Sequence, residues 1–121
     1  MSIPAIVQQG RRLSARTLLD RAVIQDRATV RDSSGGQRIT FTARPEPVRC
    51  AFATVTDEDL AAVSGVVQGK AKAILRTSLD VVIEEGARVV SQLDGSVWSV
   101  IGDRTPPSNL ATVRRFVIQE V

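Results

Sequence analysis

The side chains that most often do chemistry are scarce in this 121-residue chain: it has no His and no Tyr, and Cys50 is its single cysteine. Ser-His-Asp and Cys-His catalysis, imidazole acid–base work and nearly every zinc geometry are excluded on that ground. No internal disulfide can form, and one chain cannot assemble a thiolate cluster. Cys50 alternates inward with Val48 and Phe52, so packing accounts for it more simply than reactivity.

Two acidic clusters remain. Asp57, Glu58 and Asp59 have the look of a divalent-metal site, but Thr56-Asp57-Glu58-Asp59 also reads as a capping box, with acids where a helix dipole favours them. Glu84-Glu85 resembles a catalytic carboxylate pair, yet neighbours in a strand point to opposite faces and cannot converge on one substrate. Gly65-Val66-Val67-Gln68-Gly69-Lys70-Ala71 resembles a phosphate loop with its glycines one residue too close and Ala71 in place of the magnesium-binding hydroxyl. The same glycines have the spacing of a membrane helix-pairing motif, without the apolar segment of about twenty residues it needs. No enzyme, cofactor or metal reading survives. The arginines are harder to set aside. Arg11, Arg12, Arg16, Arg21, Arg27 and Arg31, with Arg114-Arg115, could cover phosphates, but Phe41, Phe52, Trp98 and Phe116 mostly fit inward positions and leave few rings for base stacking.

The elements that would carry these residues follow from periodicity. Ser2 and Pro4 suit a helix start, and Ile6, Leu13 and Leu18-Leu19 give it a thin apolar stripe, so residues 1 to 20 are expected as an N-terminal helical arm. Ala22 to Arg31 reads as extended. Asp32-Ser33-Ser34-Gly35-Gly36 reads as a flexible loop, and Arg38 to Arg44 as a half-buried strand with Ile39, Phe41 and Ala43 on one side. A short helix is expected near 57 to 64, then strands over Lys70 to Thr77 and Leu79 to Ile83. Asp94-Gly95 predicts a two-residue type I′ hairpin in which Leu93 faces Ser96, Ser91 faces Trp98 and Val89 faces Val100. Leu93, Val89, Trp98 and Val100 then share one surface, while Val90, Val97 and Ile101 keep the other apolar too. Such a hairpin needs a core on one side and a further partner on the other. Pro106-Pro107 predicts a rigid connection, and Leu110 to Val121 a closing strand. The sum is a mainly β chain, a small antiparallel barrel or sandwich of about seven strands with an N-terminal helix and one short helix.

Composition agrees with one domain over residues 1–121. Hydrophobic residues make up 43% and charged residues 24%, but aromatics only 3%, so the core must rest on Val, Ile, Leu and Ala. Neither a signal peptide nor a membrane span is expected, which points to a cytosol-like compartment. The net charge of +3 is uneven: residues 1 to 50 hold nine Arg against four acids, residues 51 to 100 four bases against seven acids. Two faces of opposite sign could pair head to tail between copies, which is how rings are built.

The segments Ala73-Ile74-Leu75-Arg76-Thr77, Asp80-Val81, Gly86 with Val89, Asp94-Gly95, and Gly102-Asp103-Arg104-Thr105-Pro106-Pro107-Ser108-Asn109-Leu110 are together similar to the small head-to-tail connector proteins of tailed phages, in particular the stopper type of long-tailed actinobacterial phages. Weaker likeness runs through Arg27 to Arg31 and Arg49-Cys50. The resemblance implies a virion protein of the neck, present in host cytoplasm during assembly, that forms a ring of copies of itself. Its partners would be the portal and adaptor above, a tail terminator or tail tube below, and packaged double-stranded DNA in the channel. An adaptor or terminator ring, or a small basic nucleic-acid-binding barrel, are the rival readings. Candidate ring-interface residues are Arg11, Arg12 and Arg16 against Asp57, Glu58, Asp59, Glu84 and Glu85. The candidate gating loop is Asp32, Ser33, Ser34, Gly35, Gly36 and Gln37, with Val66 to Lys70 as second choice.

Overall fold

A computed structural model describes residues 18–106 and 111–121. Among these residues are seven antiparallel strands, β1 (Asp20–Arg31), β2 (Gln37–Ala43), β3 (Val48–Ala53), β4 (Lys72–Thr77), β5 (Arg88–Ser91), β6 (Val97–Asp103) and β7 (Arg114–Glu120), and one helix, α1 (Asp57–Ala61). Six of them close a barrel in the order β1-β3-β4-β7-β6-β5, and β5 returns to β1. β2 is the extra strand. It pairs with the part of β1 beyond the barrel, Gln25 to Arg31, so the two form a ribbon that leaves the barrel wall. The fold class expected from periodicity is the one observed.

The inner core follows strand alternation. Ala22 and Ile24 from β1, Cys50 from β3, Leu75 from β4, Val89 from β5, Val100 from β6, and Phe116 and Ile118 from β7 fill the barrel, with Phe52 and Trp98 packed at one mouth. A second apolar layer lies outside. Ile74, Ile101 and Val117 point outward from the wall and are covered by Ala53, Val55, Leu60 and Val63, which come from the end of β3, from α1 and from the segments flanking it. The partner expected for the outer side of the β5–β6 hairpin is therefore partly supplied by the chain itself, at Ile101.

Several local expectations are corrected. Asp94 does not take the left-handed conformation a type I′ turn needs, since no non-glycine residue among the described residues has positive φ. Instead Ser91 N donates to Ser96 O, Gly95 N donates to Ser91 O, and Gly95 alone turns left-handed at φ 73°, giving a four-residue loop. Val89 consequently pairs with Trp98, Ser91 sits opposite Ser96, and Leu93 is 82% exposed on the loop. The slip is by two residues, so the inward set of Val89, Trp98 and Val100 survives it. Leu79 to Ile83 is a coil, although Val81 and Ile83 still reach the core. α1 ends at Ala61 and not near residue 64. Of the proposed arm, Leu18 is buried and Asp20 already belongs to β1; residues 1–17 and 107–110 lie outside the described residues.

Two devices shape the wall. Pro45 and Pro47 lack the N–H groups a ladder requires, so the chain bows out between β2 and β3 and only Arg44 N bonds back, to Ile24 O at 2.8 Å. Opposite Val23 and Ile24, four residues are accommodated. In β6 the register slips between Val100 and Gly102, which sets Gly102 opposite Val117 of the outer layer. A Cβ on Gly102 would sit 2.9 Å from Val63 Cβ, so only glycine lets the cap over β6 close. Gly102→Ala is expected to cost about 1–3 kcal/mol by overpacking. Chemical denaturation checks this, and combining it with Val63→Ala should recover part of the loss.

Candidate assembly interface

The ribbon carries the longest unbroken exposed stretch among the described residues. Its residues from Arg27 to Ile39 are all exposed, Val30 at 42% and Ile39 at 49% among them. On one face, Arg27 pairs with Phe41 and Thr29 with Ile39; on the other, Ala28 pairs with Thr40 and Val30 with Arg38. The base of the ribbon is braced. The Arg88 guanidinium lies 4.1 Å over the Phe41 ring, and Arg27 packs on Gly86, which is left-handed at φ 92°. Arg44 donates twice to Asp26, at 2.9 Å each, and once to Val82 O at 2.6 Å, tying the proline bow to β1 and to the β4–β5 connection. Hydrogen bonding from Arg44, chiefly, holds the Asp26 carboxyl below the usual range.

Asp32 to Gln37 caps the ribbon, but it is not the slack loop its glycines and serines suggest. The Asp32 carboxylate accepts from Ser34 N, Ser34 Oγ and Gly36 N, while Asp32 N donates to Gly36 O. The loop is a closed turn around one carboxylate, and Gln37 already belongs to β2. Val66 to Lys70 is also tethered. Gln119 reaches out of β7 with Oε1 accepting from Val67 N and Nε2 donating to Gly65 O, and Lys72 Nζ donates to Val67 O and Lys70 O. The segment leads into β4 and not into a helix, so its amides cannot form a phosphate cradle of the kind the glycine spacing brought to mind.

The acidic candidates separate. Asp57 and Glu58 stand exposed on the first turn of α1, while Asp59 is 4% exposed and serves the chain's own structure. It closes the capping box with Thr56, and its oxygens lie 3.2 Å from Arg104 Nε and 3.5 Å from Arg115 Nη2. As a ring-contact candidate Asp59 is therefore corrected, because its charge is already spent inside the molecule. Glu84 and Glu85 are exposed in a coil, so strand alternation does not set their directions. Glu85 lines a cleft with Arg27, Ser64, Gly65 and Gln119. Arg11, Arg12 and Arg16 fall outside the described residues.

Sequence reading missed how the remaining arginines line up. Arg21 of β1 lies directly opposite Arg49 of β3, and Arg76 of β4 directly opposite Arg115 of β7, all on the outer face. Like charges placed across a ladder repel. Asp59 relieves Arg115, and Asp103 relieves Arg114 at 3.5 Å, but Arg21, Arg49 and Arg76 have no acidic partner among the described residues. The strand pairings that align them join residues 28 and 39 positions apart, a separation that leaves no local signal.

Nothing in the described residues groups three or more potential metal ligands. Cys50 is fully buried, and burial, helped by the nearby Asp20 charge, pushes its thiol up to about 11, so the thiolate is scarce at neutral pH. Among the described residues no helix is long and apolar enough to cross a membrane.

No family model matches the chain, and no curated protein matches it. The solution structure of protein SF1141 from Shigella flexneri 2a is similar in fold, with a TM-score of 0.61 over 84% of this chain and 90% of that one at 20% identity.

Burial favours the neutral form of Asp59, yet hydrogen bonds from Thr56 and Arg104 and the charge of Arg115 outweigh it and lower its pKa. A carboxyl lowered on folding stabilises the protein above its unfolded value of about 4, and that contribution is lost as pH falls through the folded value. Asp59→Asn should therefore cost about 1–3 kcal/mol at neutral pH and flatten the loss of stability below about pH 4. Urea titrations across pH check both.

Proposed function

We propose that this chain is a virion structural protein of the tailed-phage neck, a stopper-type connector whose copies form a ring below the portal and adaptor, retain packaged DNA and receive the tail. The observation that carries the reading is the ribbon of β1 and β2, braced at its base, exposed along both faces and arginine-bearing, projecting from a closed barrel. A barrel supplies a rigid wall, and a projecting ribbon supplies a contact that the barrel's own copy cannot satisfy. A ring of identical chains needs such unlike complementary surfaces. The similarity of the segments Ala73 to Thr77 and Gly102 to Leu110 to stopper sequences supports the same reading, as does a chain without an evident catalytic constellation.

In this reading the protein does no covalent work. The Asp32 turn is a compact plug at the ribbon's end, held in shape by hydrogen bonds to its own carboxylate, and it is better placed than Val66 to Lys70 to enter a channel because Gln119 pins the latter. Imaging of the mature particle should show this protein at the head–tail junction; absence of density there ends the proposal. Deleting Ser33 to Gly36 should leave the barrel folded and filled heads leaking DNA, measured as the ratio of empty to full heads. Heads that keep their DNA would remove the gating role from this loop.

A second reading rests on Arg21, Arg49 and Arg76, whose alignment also suits a duplex phosphate backbone. A monomeric nucleic-acid-binding barrel would show affinity falling steeply with salt, and Arg49→Ala would reduce the log–log slope by about one. The neck reading expects weak duplex binding by the isolated chain and little change of slope.

A further inference from the structure

The barrel mouth at the start of β1 is open. Phe52 from β3 and Trp98 from β6 meet across it with ring centroids 6.2 Å apart, and Ala73 completes an apolar floor. Asp20, Asp94 and the exposed Leu93 stand on the rim, and the pocket has a volume of about 320 Å³. Aromatic faces with nearby carboxylates form a receptor for a cation carried on an apolar stem, the chemistry of an arginine side chain. A pocket of this size admits one side chain and not a chain segment. The Asp20 carboxylate has no hydrogen-bond or ion-pair partner among the described residues, whereas that of Asp94 is already oriented by Ser96 N and Ser96 Oγ.

The matching surface lies at the other pole of the same strand. Val30 and Arg38 form a cross-strand pair on one face of the ribbon, both exposed, and Arg38 has no acidic partner among the described residues. An apolar side chain beside an unpaired guanidinium complements Leu93 and Trp98 beside Asp20. Val30 is ten residues along β1 from Asp20, about 33 Å of extended strand, so a copy cannot fill its own pocket. We propose that the pocket receives Arg38 from the ribbon of a second copy, with Val30 against Leu93, and that this is the head-to-tail contact between neighbours.

Pocket and ribbon tip are different surfaces at opposite poles, so the contact is heterologous and repeats from copy to copy. It rests on the self-assembling part of the neck reading and names the residues that would join one subunit to the next. It also gives a role to Trp98, whose indole N–H donates to Ser96 Oγ at 2.9 Å and whose ring is left facing the pocket.

The test uses the full chain carrying Val30→Cys and Leu93→Cys, both at exposed positions, bridged by a short bis-maleimide that the buried Cys50 does not meet. A ladder of multimers is expected from the double variant, and dimers at most from either single one. Adding Arg38→Glu or Asp20→Asn should weaken the ladder about tenfold, and the exchange Asp20→Arg with Arg38→Asp should restore it. Titrating the unmodified protein with Trp98→Phe copies should change the fluorescence of its single tryptophan, less so when the added copies also carry Arg38→Glu. No ladder, a ladder indifferent to Arg38, or one abolished instead by Arg11→Glu, Arg12→Glu and Arg16→Glu overturns the contact. Trapping needs no particle, so its failure is distinct from failure of the neck reading, which imaging decides.

Discussion

β1 is longer than the barrel it closes, and most of the molecule's character follows from how its edges are shared. Asp20 to Ala22 bond to β3 on one edge, Ala22 to Gln25 bond to β5 on the other, and from Gln25 onward only β2 remains as a partner. The first two pairings close the barrel and remove its edges; the third leaves a two-stranded ribbon with open edges on both sides. Open edges invite pairing with other chains, and charged residues on them restrain it. Arg27, Arg31 and Arg38 occupy that stretch, so the ribbon is kept from indiscriminate contact while staying available for a selective one.

The barrel tolerates this overhang because its wall is covered on both sides where it matters. Inside, Phe116 and the aliphatic set around it exclude water; outside, Leu60 and Val63 cover Ile74, Ile101 and Val117. The outer cover depends on Asp59, which starts α1 and clamps it to Arg104 and Arg115. One buried carboxylate thus does three jobs: it caps a helix too short to be stable alone, anchors the cap to β7, and neutralises one member of an unfavourable arginine pair. Three further arginines of the wall, Arg21, Arg49 and Arg76, have no such relief among the described residues. A surface carrying uncompensated repulsion across its ladders is stabilised by an anionic neighbour, whether protein or phosphate.

The ends of the barrel differ in kind. One end presents aromatic rings under a carboxylate rim, and the other extends into an arginine-bearing ribbon held by Arg44 and Arg88. Polarity of this sort supplies two unlike surfaces, the kind that heterologous contacts between copies use.

Strand identity was legible in the residues because alternation is a local property. Val48, Cys50 and Phe52, or Val89, Trp98 and Val100, reveal their shared face within a few positions, and Thr56 to Asp59 announces a helix start in four. Register was less so, since Asp94-Gly95 is compatible with both a two-residue and a four-residue loop, and the chain takes the latter. What tertiary structure alone decided is which charges are consumed and which are left over. Asp59 and Arg115 are 56 positions apart, Arg44 meets Asp26 beside a proline bow, and the Asp20 carboxylate, without a partner among the described residues, stands at a mouth formed by strands distant in the chain. Alternation tells which way a side chain points; only the closed barrel brings together the partners that determine whether its charge remains free.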